Sequence, residues 1–93
     1  IPAAEALRIG LVDEVVPAER LLPRAAELAA SIVAMAPLAV AATIEAVERG
    51  SDLEIEDAMK VEAEIFGRLA GTADKTEGTT AFLEKRPPRW TGR

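Results

Sequence analysis

The side chains that could perform chemistry in this 93-residue chain are carboxylates and amines, because it contains neither histidine nor cysteine. It therefore lacks the commonest general base and metal ligand, and it has no thiol nucleophile and no disulfide. No glycine-rich phosphate loop, nucleophile–histidine pair, zinc-protease motif or carboxylate cage is present. The sequence assigns no catalytic residue and no metal ligand, and it predicts that the chain alone performs no hydrolysis, transfer or redox reaction.

Three carboxylates are candidates for acid–base chemistry, and each has a simpler interpretation. Asp13 and Glu14 are adjacent, so in an extended segment they lie on opposite faces, and we favour a solvated turn. Glu62 falls within an apolar helical stripe, where it is either a functional acid or half of an ion pair completed across an interface. The ion pair is the commoner case, and no histidine or metal-ligand spacing accompanies Glu62 in its helix.

Charge is distributed unevenly along the chain, whose net charge is −5. Residues 84–93 carry four basic side chains against one acid, whereas the rest of the chain is strongly acidic. An acidic body argues against nucleic-acid binding, and three aromatic residues are too few for a base-stacking platform. The basic end could meet a phosphate group or an acidic partner surface; alternatively it is a solvated, frayed terminus.

The apolar content is ample in number but small in volume, since 19 of the apolar residues are alanine. Such a chain forms one domain at most, and we expect it to complete its core against a preceding domain or a partner subunit. No apolar run approaches the ~20 residues that span a bilayer, which predicts no membrane partner. The absence of cysteine favours a cytoplasmic location. Because the chain begins with Ile1 rather than methionine, we expect a processed or cut product.

Hydrophobic periodicity, proline and glycine predict a mainly α fold with one short extended segment near residues 11–16. The predicted helices are Pro2–Ile9, ended by Gly10; one from Leu22 or Pro23 to Ala36, after a looser turn from Ala18; Pro37–Arg49, ended by Gly50 as a left-handed cap; Leu53–Leu69, capped by Asp52 or Ser51; and a last helix that starts at Thr72, with Asp74 in its first turn, and ends near Leu83.

The last helix contains Gly78, which costs about 1 kcal/mol relative to alanine in a helix interior. Either this cost is simply tolerated, or the glycine lets a neighbouring backbone or ligand come close. Phe82 and Leu83 are predicted to anchor the end of the helix, and Pro87-Pro88 predicts an extended tail.

Four stretches of the sequence carry a family resemblance when they are taken together. They are Ala3-Ala-Glu-Ala-Leu-Arg-Ile-Gly-Leu-Val-Asp-Glu-Val-Val-Pro17, Glu62-Ala-Glu-Ile-Phe66, Thr72-Ala-Asp-Lys-Thr-Glu-Gly78 and Ala81-Phe-Leu-Glu-Lys-Arg86. The combination resembles the C-terminal part of the crotonase (enoyl-CoA hydratase/isomerase) superfamily. The resemblance implies that residues 1–17 end the core of a crotonase-like α/β fold. Residues 18–93 would be its C-terminal helical oligomerisation region with a basic tail, in a homotrimer or hexamer.

The resemblance also implies an activity, the hydration of 2-enoyl-CoA to 3-hydroxyacyl-CoA. In such enzymes two backbone N–H groups stabilise the thioester enolate oxyanion, and two glutamates add the water. Those groups would lie N-terminal to Ile1, so no catalytic role transfers to this chain. The coenzyme A thioester is the substrate, and no further cofactor is implied. Other members of the superfamily with the same tail are isomerases, dehalogenases, hydrolases and synthases, so one of these activities is an alternative. A second alternative is that the chain is not part of an enzyme but a free-standing helical interaction module without catalysis.

Three residues of this chain match positions that the family uses to contact coenzyme A. Lys85 resembles the lysine that reaches the phosphate or adenine end, often in a neighbouring subunit, and a basic helix end suits a 3′-phosphoadenosine group. Phe82 resembles the aromatic residue beside it, and Phe66 resembles the one that lines the acyl side or the subunit contact. Alternatively, Phe66 and Phe82 are core residues. We expect Arg86 to form an ion pair rather than a phosphate contact.

Overall fold

The computed structural model describes residues 1–93 and contains five α-helices and one short 3-10 helix. The elements are α1 (Ala3–Arg8), the 3-10 helix (Ala18–Arg20), α2 (Leu21–Val33), α3 (Pro37–Gly50), α4 (Ile55–Ala70) and α5 (Ala73–Leu83). The chain contains no β-strand, and residues 13–17 form no helix. The predicted mainly α fold is therefore confirmed. The chain divides into two compact units, residues 1–31 and 32–93; the predicted boundary at residue 17 stays a prediction.

In residues 1–31, α1 ends as the glycine signal predicts. Gly10 has a left-handed backbone with φ 73°. Its N–H donates to the Leu7 carbonyl at 3.1 Å, and the Leu11 N–H donates to the Ala6 carbonyl at 2.9 Å. This pair of bonds is the Schellman motif, which satisfies the last helical carbonyls and favours glycine at the left-handed position.

In residues 32–93, α3 and α4 pack against each other. Pro37 occupies the first position of α3, where its missing N–H costs nothing. Ile65 of α4 is buried, and small alanines on α3 allow the helices to approach. On the rim, Glu45 of α3 accepts hydrogen bonds from Arg49 at 2.8 Å and from Arg68 of α4 at 2.5 Å. Of these two exposed pairs, the one between Glu45 and Arg68 links the helices, and pairs of this kind contribute little to stability.

Two predicted caps between α3 and α4 are wrong. Gly50 is not a left-handed cap: it is the last residue of α3 and has no positive φ. The chain instead continues through a turn in which the Leu53 N–H donates to the Gly50 carbonyl at 3.1 Å. Because of that turn, α4 begins at Ile55 with Glu54 at its N-cap position, and neither Ser51 nor Asp52 caps it. The acids that follow, Glu56 and Asp57, suit the positive end of the helix dipole.

The core of the chain is thin. Only Ala6, Ile65 and Ala81 are buried apolar residues, whereas twenty large apolar side chains are exposed. Phe82 and Leu83 do not anchor α5 within this chain, since they are 82% and 73% exposed. No single helix is both long and apolar enough to cross a membrane; residues 18–33 and 37–50 reach that length and composition only together, across a break.

Candidate functional site

Lys85, the cation predicted to meet a phosphate, lies just beyond the C-terminus of α5. It is exposed, and its φ of 53° makes it the one non-glycine residue with a left-handed backbone. Its N–H donates to the Phe82 carbonyl at 3.2 Å, and the Arg86 N–H donates to the Ala81 carbonyl at 3.0 Å. This is a second Schellman motif, with lysine where glycine is usual. A residue with a Cβ pays about 1–2 kcal/mol for that backbone conformation.

Arg86 is engaged in ion pairs, as expected. Its guanidinium donates to both carboxylate oxygens of Glu77, at 2.7 and 3.0 Å, and to Glu84 at 2.6 Å. The same Glu77 oxygen that accepts from Nη1 also accepts the backbone N–H of Arg89 at 2.7 Å. The Arg86 guanidinium and, next, the Arg89 N–H lower the pKa of Glu77 to about 2. Glu77 and Glu84 raise the pKa of Arg86, so this pair is fully ionised at neutral pH.

Asp74 holds the last residues of the chain onto the start of α5. It is 2% exposed and accepts hydrogen bonds from the Thr91 N–H at 2.7 Å, the Thr91 hydroxyl at 3.0 Å and the Gly92 N–H at 2.9 Å. Its own N–H donates to the Arg93 carbonyl at 2.9 Å. The Thr91 N–H is the largest of the influences that hold the pKa of the Asp74 carboxyl below its usual range. The sequence predicted only the helix-dipole role of Asp74, because nothing local indicates a partner seventeen residues away.

Gly78 lies where the side chain of Trp90 crosses α5. A Cβ at Gly78 would lie 3.0 and 3.2 Å from two carbons of the indole ring, closer than ordinary van der Waals contact. The indole N–H donates to the Ala34 carbonyl at 2.8 Å. Gly78 therefore lets a neighbouring group come close, which is one of the two interpretations of a glycine inside this helix. The group is the Trp90 side chain, not a backbone segment or a ligand.

These contacts show that the basic end of the chain is packed against the rest of residues 32–93. Residues 84–93 are not a frayed terminus: Glu77, Asp74 and the Ala34 carbonyl each hold a different part of them. We call residues 84–93 with these contacts the folded tail. Lys85 stands at its start, exposed on a backbone that is fixed from both sides.

The two phenylalanines predicted beside coenzyme A occupy different places. Phe82 is linked to Lys85 by the backbone hydrogen bond at the end of α5. Phe66 lies on α4 and lines a groove of about 490 Å³ between α3 and α4, whose lining includes neither Phe82 nor Lys85. Phe66 is 72% exposed and Phe82 is 82% exposed, so neither is a core residue within this chain. Their predicted contact with coenzyme A stays a prediction.

The carboxylates considered for acid–base chemistry have different surroundings. Glu62 lines the α3–α4 groove and forms no ion pair within the chain, which leaves open the interface pair that the sequence suggested. Glu14 accepts two hydrogen bonds from Arg24 at 2.9 Å, and the pair lowers the pKa of Glu14. Asp13 is exposed, in keeping with a solvated turn. No group of three acids is close enough to hold a metal ion.

The whole chain, residues 1–93, matches the family model described as enoyl-CoA hydratase/isomerase. The chain belongs to this family.

Two curated relatives and one solved structure illustrate the family likeness. The short-chain-enoyl-CoA hydratase of Clostridium acetobutylicum is 45% identical over 92% of this chain and 33% of its own length. The crotonyl-CoA hydratase of Syntrophomonas wolfei is 46% identical over the same shares. The crystal structure of the enoyl-CoA hydratase from Bacillus anthracis superposes with a TM-score of 0.96 at 35% identity, covering 100% of this chain and 36% of that one. The chain spans about a third of the length of the relatives that it matches.

Proposed function

We propose that this chain is the C-terminal part of an enoyl-CoA hydratase, which adds water across the 2,3 double bond of a 2-enoyl-CoA. The hydroxyl group joins C3, a proton joins C2, and the product is a 3-hydroxyacyl-CoA. The observation that carries the proposal is the likeness to two hydratases at 45% and 46% identity over 92% of the chain. Within that enzyme, we assign to Lys85 a contact with a phosphate of coenzyme A, with Phe82 beside it and Phe66 on the acyl side or the subunit contact.

Purified full-length protein should therefore convert crotonyl-CoA to 3-hydroxybutyryl-CoA, identified by mass and by loss of the conjugated thioester absorbance. The 93-residue chain alone should show no turnover, because the two glutamates that the family resemblance assigns to the reaction would lie N-terminal to Ile1. Full-length protein that leaves crotonyl-CoA unchanged but isomerises or hydrolyses another acyl-CoA would make this chain part of one of the other crotonase activities. Turnover by the 93-residue chain would contradict the account of where the acids lie.

We also propose that the exposed apolar side chains serve assembly. Twenty large apolar side chains exposed on a chain with three buried apolar residues favour burial against a core domain and neighbouring subunits. The expected assembly is a trimer or a hexamer, so light scattering of the full-length protein should give three or six times the subunit mass. A monomer at micromolar concentration would contradict this. Several further assignments stay predictions. They are that the enzyme needs no cofactor beyond its coenzyme A substrate, that it binds neither nucleic acid nor a membrane, and that it serves β-oxidation in the cytoplasm. Cell fractionation tests the location.

A further inference from the structure

The direction in which Lys85 leaves the helix end depends on residues that follow it. The two Schellman bonds fix the backbone of Lys85 against the end of α5. Beyond it, the Arg86 guanidinium and the Arg89 backbone N–H are both bound by one carboxylate, that of Glu77. Glu77 therefore holds the part of the chain that follows Lys85.

The Glu77 carboxylate is suited to this role because it accepts three hydrogen bonds, at 2.7, 2.7 and 3.0 Å, and its negative charge strengthens all three. Its side chain is 23% exposed, so water competes less for it than for a surface pair. The two guanidinium bonds to Arg86 are parallel, which fixes the plane of the arginine as well as its position.

The ion pairs around Arg86 also determine which charged side chains at the end of α5 are free to bind a ligand. Glu84, the neighbour of Lys85, is paired with Arg86 at 2.6 Å, so part of its negative charge is offset. Arg86 in turn is bound by two carboxylates, so its positive charge is already engaged. Lys85 is left as the cation beside the helix end that has no ion pair in the chain.

We propose that Glu77 is a positioning residue for Lys85: by binding Arg86 and Arg89 it holds the chain that follows Lys85, and so keeps the Lys85 ammonium presented to an anionic group of coenzyme A. This rests on the proposed function, in which Lys85 contacts a coenzyme A phosphate. Glu77 itself does not touch the ligand, so its influence on binding passes entirely through Lys85.

The test is a double-mutant cycle in the full-length enzyme, with the dissociation constant of free coenzyme A as the readout. Lys85→Ala should weaken binding about tenfold and Glu77→Gln about fivefold, since glutamine keeps the shape but loses the charged, two-pronged pair. The double variant should bind no more weakly than Lys85→Ala alone. KM for crotonyl-CoA should rise in Glu77→Gln while kcat stays unchanged, and Glu45→Gln, which breaks ion pairs between α3 and α4, should leave coenzyme A affinity unaltered.

Each outcome separates the two proposals. If Lys85→Ala binds coenzyme A normally, the contact assigned under the proposed function fails. If Lys85→Ala is weakened but Glu77→Gln is not, or if the two effects multiply in the double variant, the positioning role fails while the contact stands. Should Glu77→Gln not fold, Glu77→Asp takes its place: the shorter carboxylate should weaken binding in the Lys85 background and have no effect in the Lys85→Ala background, and any further loss there overturns the proposal.

Discussion

Replacement of Lys85 by glycine should make the protein more stable and its binding of coenzyme A weaker. Lys85 has a φ of 53°, a conformation in which glycine is free of the Cβ clash, so Lys85→Gly should raise the free energy of unfolding by about 1 kcal/mol. The same change removes the exposed ammonium, and we expect coenzyme A affinity to fall about tenfold. Thermal unfolding and isothermal titration of the full-length enzyme measure the two effects.

Two further variants at this position separate backbone from charge. Lys85→Ala keeps the strained conformation and loses the charge, so it should bind as weakly as Lys85→Gly without the gain in stability. Lys85→Arg keeps a positive charge and should bind coenzyme A within about threefold of the parent. Coenzyme A affinity equal to that of the parent protein in all three variants would remove Lys85 from the site. A stability loss in Lys85→Gly would contradict the left-handed backbone.

Replacement of Gly78 by leucine should release Trp90 from α5. A Cβ at Gly78 would already lie 3.0 Å from the indole, so a leucine side chain occupies the space of the ring itself. The indole then loses its hydrogen bond to the Ala34 carbonyl, and overpacking of this kind costs about 2 kcal/mol. Tryptophan emission should shift to the red and acrylamide quenching should increase, with Trp90→Phe subtracted as the blank.

Gly67 provides the matched control for Gly78. It also lies inside a helix, α4, but a Cβ there would meet nothing within 4 Å. Gly67→Leu should leave the emission of Trp90 unchanged, and the gain in helix propensity should stabilise α4 by up to about 1 kcal/mol. An unshifted emission spectrum in Gly78→Leu would mean that Trp90 does not pack on Gly78, and the account of the folded tail would lose one of its three attachments.

Local signals in the sequence predicted the local features of the fold. Pro37 and Thr72 start helices as expected, and the Thr72 hydroxyl accepts the Lys75 N–H at 3.1 Å. Gly10 ends α1 with the predicted left-handed backbone. Each of these features depends on residues within one helical turn, which is why composition and spacing suffice.

The features that the sequence did not predict depend on distant partners. Asp74 binds Thr91 and Gly92, and Trp90 reaches back to Ala34, so no short window contains both ends of either contact. The same cause explains the error at Gly50, where a turn to Leu53 decides the backbone. The family resemblance pointed to Lys85, but neither its left-handed backbone nor the pairing of Glu77 with Arg86 follows from a local sequence signal.

The measurement that most directly tests the central claim is the crystal structure of the full-length protein with bound coenzyme A. We predict that the Lys85 Nζ lies within about 4 Å of a phosphate oxygen of coenzyme A, in the same or a neighbouring subunit, the range of an ion pair. Arg86 should still be paired with Glu77. Coenzyme A bound with none of its phosphate oxygens in contact with Lys85, or no coenzyme A bound at saturating concentration, would contradict the account.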